Sequence, residues 1–159
     1  MRYLIWYSVL RTVKRSVSFE IREVVMKRKE LMELFNSPNR VGTLSTSDGK
    51  GKLNAGLFGS LRMVDEETVV MACGDNRSLA NMRNNPKAVY LFFEPGTNPM
   101  DWKGARVYLE VVKMEGDGVL YDRLVEQVRA AAGDQAASGI TAAITFRIEN
   151  TRPIIDPVR

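Results

Sequence analysis

Six short strand-like runs, each ended by a turn cluster, confine this chain to a mainly β architecture. They occupy residues 41–46, 53–63, 68–73, 88–93, 106–114 and 142–148. Between them stand Asp48-Gly49, the acidic triplet 65–67, Gly74-Asp75-Asn76, a Pro/Gly-rich loop over 95–103 and Gly116-Asp117-Gly118. Asp-Gly and Gly-Asp pairs reverse the chain because they accept backbone conformations that other residues avoid. Helical spacing is confined to three stretches: Leu31, Leu34 and Phe35 before Asn36-Ser37-Pro38, residues 78–84 before Pro86, and residues 120–132. Many strands with two or three short helices predict one antiparallel sheet closed, or nearly closed, into a barrel.

Two runs carry more than their strand signal. Residues 68–73 are apolar almost throughout, which predicts a strand covered on both faces. The run 53–63 contains Gly56 and Gly59. A glycine inside a strand marks either a bulge at a barrel corner or a close approach by another backbone or a flat ligand.

Composition removes whole classes of chemistry. The 159 residues include no histidine and one cysteine, Cys73. Histidine bases, histidine-ligated metals, cysteine-rich metal sites and intrachain disulfides are therefore excluded. A single free thiol suits a reducing cytoplasm. The net charge of +4 is concentrated at the start, where residues 1–25 hold five basic and two acidic side chains. The remainder, 18 basic against 17 acidic, is nearly neutral and does not predict a nucleic-acid partner. The apolar stretch 3–10 is far short of the roughly 20 residues that span a membrane. Arg22-Glu23-Val24-Val25-Met26 can be encoded by a purine-rich ribosome-binding sequence followed by ATG. The expectation is a domain over 26–159 that starts at Met26, with 1–25 an extension outside it.

The segment richest in chemistry is Gly74-Asp75-Asn76-Arg77-Ser78-Leu79-Ala80-Asn81. A buried strand ends in a polar turn that starts a helix, and free N–H groups at a helix start attract an anion. Arg77 adds a guanidinium fork, Ser78 a hydroxyl, and Asn81 follows Ser78 by three residues on the same helical face. The set fits a terminal phosphate. It equally fits a helix capped by Asp75, Asn76 or Ser78, with Arg77 in solvent.

These segments resemble the pyridoxamine 5′-phosphate oxidase-like FMN-binding split barrels. Val41-Gly42-Thr43-Leu44-Ser45-Thr46 with its glycine turn is similar to that family's opening strand. Val69-Val70-Met71-Ala72-Cys73-Gly74, then Arg77-Ser78, Asn81 and Asn85-Pro86, is similar to its third strand and phosphate turn. The resemblance covers about residues 28–150. It implies a six-stranded antiparallel split β-barrel of Greek-key type, FMN as cofactor, and a homodimer with flavin between subunits. It places phosphate contacts on Arg77, Ser78 and Asn81. Gly56, Leu57, Phe58 and Gly59 would lie beside the flavin, and Ala72, Cys73 and Gly74 below its ring. Trp102 would cover a partner's flavin or pack on its own barrel. Without histidine the chain departs from the true oxidases, and 149–153 does not match their substrate-binding segment. An FMN-dependent oxidoreductase or electron carrier of unknown substrate is expected. The alternatives are a barrel using deazaflavin or haem and a non-catalytic binding module.

Overall fold

The computed structural model describes residues 26–98 and 101–155, so the expectations for 1–25 lie outside the described residues. Helix α1 (Arg28–Phe35) leads into β1 (Val41–Ser47), β2 (Leu53–Leu57), β3 (Arg62–Met63) and β4 (Thr68–Gly74). Helix α2 (Arg77–Asn84) precedes β5 (Lys87–Glu94) and β6 (Lys103–Glu115). Helices α3 (Val119–Ala132) and α4 (Asp134–Ser138) precede β7 (Ile140–Pro153). The seven strands form one sheet in the order β2-β1-β5-β6-β7-β4-β3, with every neighbouring pair antiparallel. Among the described residues no helix is long and apolar enough to cross a membrane.

The expected second strand, 53–63, is cut in two. Its halves, β2 and β3, are the opposite edges of the sheet, joined only by Phe58–Leu61. Seven strands laid flat would separate those edges by about 29 Å at the usual inter-strand spacing. The five peptide steps from Leu57 to Arg62 reach at most about 18 Å. The sheet must therefore curl until its edges meet. The barrel is split because a chain link, not a ladder, joins them. This division accounts for seven strands where six were read. The loop expected over 133–139 holds the short α4, which brings the helices among the described residues to four.

Packing explains the sequence pattern. Leu31 and Phe35 of α1 are fully buried with Leu44, Met71, Tyr90, Phe92, Val107, Leu109, Ile144 and Phe146 in the principal core. The Phe35 ring meets Tyr90 and Phe92 at centroid distances of 5.3 and 5.0 Å. On the outside of the barrel, Val70, Ala72 and Ala143 pack with Leu124 of α3 in a second cluster. Strand β4 thus feeds the core with Val69, Met71 and Cys73, and the α3 interface with Val70 and Ala72. That is why its whole run is apolar.

The turns follow their residues. Asp48 accepts the N–H groups of Lys50 and Lys52 at 2.8 and 3.0 Å, and these bonds hold its carboxyl below the usual range. Gly49 and Gly51 take φ of 78° and 93°, which side chains resist.

Candidate functional site

The link Phe58–Leu61 has no ladder, and side chains hold three of its carbonyls. Tyr90 Oη donates to Phe58 O at 2.9 Å. The Arg40 guanidinium donates to Leu61 O and, at 3.4 Å, to Gly59 O. Arg62 Nη1 donates to the same two carbonyls at 2.7 and 2.9 Å. Ser60 Oγ donates to Ala72 O at 2.8 Å, which ties the link to β4. The N–H groups of Gly59 and Ser60 find no acceptor among the described residues. Most buried backbone donors are paired, so two unpaired amides at a solvent-facing kink are open to a ligand's oxygen or nitrogen.

These amides border a cleft of ≈ 340 Å³ between the sheet and α3. Gly59, Ser60, Arg62 and Ala72 form one wall, and Leu124, Gln127, Val128, Ala131 and Ala132 the other. The volume falls within the range of small-molecule sites. Among the described residues its only charged lining residue is Arg62, and none is a carboxylate. Burial holds the Arg62 guanidinium below its ordinary pKa, and repulsion from neighbouring Arg40 adds to this. Two guanidiniums without a carboxylate to neutralise them favour an anionic or electron-rich guest.

The residues expected at a flavin site divide by orientation. Gly59 and Ala72 line the cleft. A Cβ built on Gly59 would meet nothing within 4 Å, and its φ is not left-handed. Nothing among the described residues requires glycine there. Gly56 differs, since its Cβ would stand 3.2 Å from the Phe58 ring. Phe58 packs against the core, and Leu57 is 74% exposed on the outer face. Cys73 alternates with Ala72 and points into the core, where burial pushes its thiol pKa up. Gly74 sits at a register shift with β7, where a Cβ would approach Gly139 O to 2.8 Å.

At the α2 turn, Asn76 is the cap, its side chain accepting Leu79 N–H at 3.0 Å. Ser78 and Asn81 face inward and are buried, so they do not share a surface with the exposed Arg77. Asn54 Nδ2 donates to Ser78 Oγ at 2.9 Å, and Asn81 Nδ2 to Thr46 Oγ1 at 3.1 Å. These bonds anchor α2 on the β1–β2 hairpin. Arg77 makes no hydrogen bond or ion pair among the described residues and is free to meet an anion. Trp102 stacks on Phe93 of its own sheet, with centroids 4.5 Å apart and planes 6° apart.

Arg40, Tyr90, Arg62 and α3's cleft wall were not singled out from the sequence. Gly42 is the one signal that could have found Tyr90: a Cβ there would stand 2.1 Å from its hydroxyl.

Solved structures share this architecture. An FMN-binding protein from Syntrophomonas wolfei is 23% identical, with a TM-score of 0.69 over 95% of this chain and 99% of that one. A pyridoxamine 5′-phosphate oxidase-like protein of Listeria innocua is 16% identical, with a TM-score of 0.61 over 80% and 97%. An F420 reductase is 16% identical, with a TM-score of 0.58 over 80% and 98%. No family model and no curated protein matches the chain. The fold is the split barrel of the pyridoxamine 5′-phosphate oxidase-like proteins.

Proposed function

We propose that this chain is an FMN-binding flavoprotein, acting as an oxidoreductase or electron carrier, with the flavin ring at the Gly59–Ser60 link. The observation that carries the reading is the link itself. Three of its carbonyls are tied down by side chains while two adjacent amides stay free, among the described residues, beside a glycine that faces open space. A flavin ring has a flat face that glycine admits and an acceptor-rich edge that amides can bond. Ala72 and the α3 wall supply apolar cover, and Arg62 supplies positive charge. Arg77, at the start of α2, remains the proposed phosphate partner, joined by the turn's backbone amides rather than by the buried Asn81 side chain.

Bound FMN would supply the electron or hydride transfer. The chain's own part is to hold the ring, fix its edge and keep water from one face. A homodimer belongs to the same proposal. Leu53 and Leu57 of edge strand β2 are 77% and 74% exposed, and Val41 of β1 is 42% exposed. An apolar sheet edge of this kind invites a second copy. Sedimentation of the flavin-loaded protein at micromolar concentration is expected to give twice the chain mass, and a monomer would refute the dimer.

The experiment for the cofactor is reconstitution of purified full-length protein with FMN, followed by gel filtration and a visible spectrum. Flavin absorption is expected to elute with the protein. A colourless protein peak after incubation with excess FMN would overturn the reading. Retention of a deazaflavin in its place would keep the site and change the cofactor.

A further inference from the structure

We propose that Arg40 and Tyr90 are positioning residues for the flavin, acting through the link and touching no ligand themselves. The inference rests on the flavin reading above and extends it to residues on β1's approach and on β5. At this crossing three carbonyls of the link are held by side-chain donors. Tyr90 is fully buried, and its hydroxyl ends on Phe58 O, the last carbonyl before the free amides. Phe58 N–H in turn donates to Gly42 O at 3.1 Å, and Gly42 is the residue whose missing side chain admits the Tyr90 hydroxyl. Arg40 reaches the link beside Tyr90. Its guanidinium lies over the Phe35 ring at 5.4 Å, one amino group holds Ser37 O at 3.3 Å, and the other holds Gly59 O and Leu61 O.

The arrangement fixes a short peptide at three of its four carbonyls. Phe58 O, Gly59 O and Leu61 O are each held by a side-chain donor, while the Gly59 and Ser60 amides keep no acceptor among the described residues. A peptide plane is rigid, so a carbonyl fixed on one side sets the direction of the next residue's N–H. Phe58 O and Gly59 N–H belong to one such plane, as do Gly59 O and Ser60 N–H. Tyr90 therefore aims the first free amide and Arg40, with Arg62, aims the second. Burial raises the Tyr90 pKa, so the hydroxyl stays a proton donor through the neutral range.

The test uses the full chain and two conservative variants. Tyr90→Phe removes one hydroxyl and keeps the ring in the core. Arg40→Lys keeps a cation but loses the fork that spans two carbonyls. For each, thermal unfolding without ligand, FMN titration and visible circular dichroism of bound flavin are measured. Both variants are expected to fold and to bind FMN about five- to tenfold more weakly, the scale of one aimed hydrogen bond. The visible dichroism of the bound flavin is expected to change, because it reports how the ring sits. Variants that melt lower but match wild type in FMN affinity and visible dichroism would overturn the proposal and leave Arg40 and Tyr90 structural. Wild-type protein that takes up no FMN would overturn the flavin reading and this proposal with it. The two failures are distinct because the wild-type titration separates them.

Discussion

Gly59→Ala separates a site for a ligand from a requirement of the fold. A glycine retained for folding either has a left-handed φ or lacks room for a Cβ. Gly59 has neither property: its Cβ would meet no atom within 4 Å. Replacing glycine by alanine at a compatible position stabilises by about 0.4–1 kcal/mol, because the unfolded chain loses freedom. For a domain of this size that raises Tm by roughly 1–4 °C. The same methyl group would stand where the flavin face is proposed to lie. Forcing a methyl group into a packed contact costs about 1–3 kcal/mol. FMN affinity should then fall about five- to hundredfold. Gly42→Ala is the control, since its Cβ would stand 2.1 Å from Tyr90 Oη and 2.3 Å from Cζ. It should lose stability with or without flavin. Urea unfolding of the apo protein and FMN titration of both variants read these outcomes. A Gly59→Ala protein that is destabilised, or that binds FMN as wild type does, would refute the reasoning.

Three further outcomes are expected. Arg77→Ala should leave the urea midpoint unchanged, because Arg77 is exposed and unpaired, and should weaken FMN about tenfold or more, the scale of a hydrogen bond to a charged group; unaltered titration would place the phosphate elsewhere. Phe35→Ala should cost about 3–5 kcal/mol in urea unfolding, because α1 plugs the barrel through this fully buried ring; a loss under about 1 kcal/mol would mean α1 is not part of the core. Burial raises the pKa of Cys73 above its unfolded value, so its contribution to stability is complete below that value and declines as pH rises and the unfolded thiol ionises first. The urea midpoint should therefore fall between about pH 8 and 10 more steeply in wild type than in Cys73→Ala, and parallel profiles would contradict the burial.

Strand placement was legible because it is written locally, in apolar runs and in turn residues such as Asp48-Gly49. The two-sided cover of β4 was legible for the same reason, since a strand with no polar face has no solvent side. The break in 53–63 was not, because Gly59-Ser60-Leu61-Arg62-Met63 continues a plausible strand pattern and only closure of the barrel forces the chain across. At the α2 turn the residue types pointed to an anion, but the sequence did not show that Ser78 and Asn81 are buried against the β1–β2 hairpin. Their partners Asn54 and Thr46 are 24 and 35 residues away, on strands whose register local sequence does not reveal. Trp102 could stack on its own sheet or on a partner, and Phe93 supplies the near surface. The cleft depends on α3 lying over Ala72, a tertiary contact with no local signature.

The central claim, that the Gly59–Ser60 link and the α2 turn together hold a phosphorylated flavin, is tested most directly by titrating the full chain with FMN and with riboflavin under identical conditions. The two ligands share the ring and differ in the phosphate. The account expects both to bind, with FMN at least about tenfold tighter, because only FMN engages the cationic turn at Arg77. Equal affinity would remove the phosphate site, and the absence of binding by either would contradict the account as a whole.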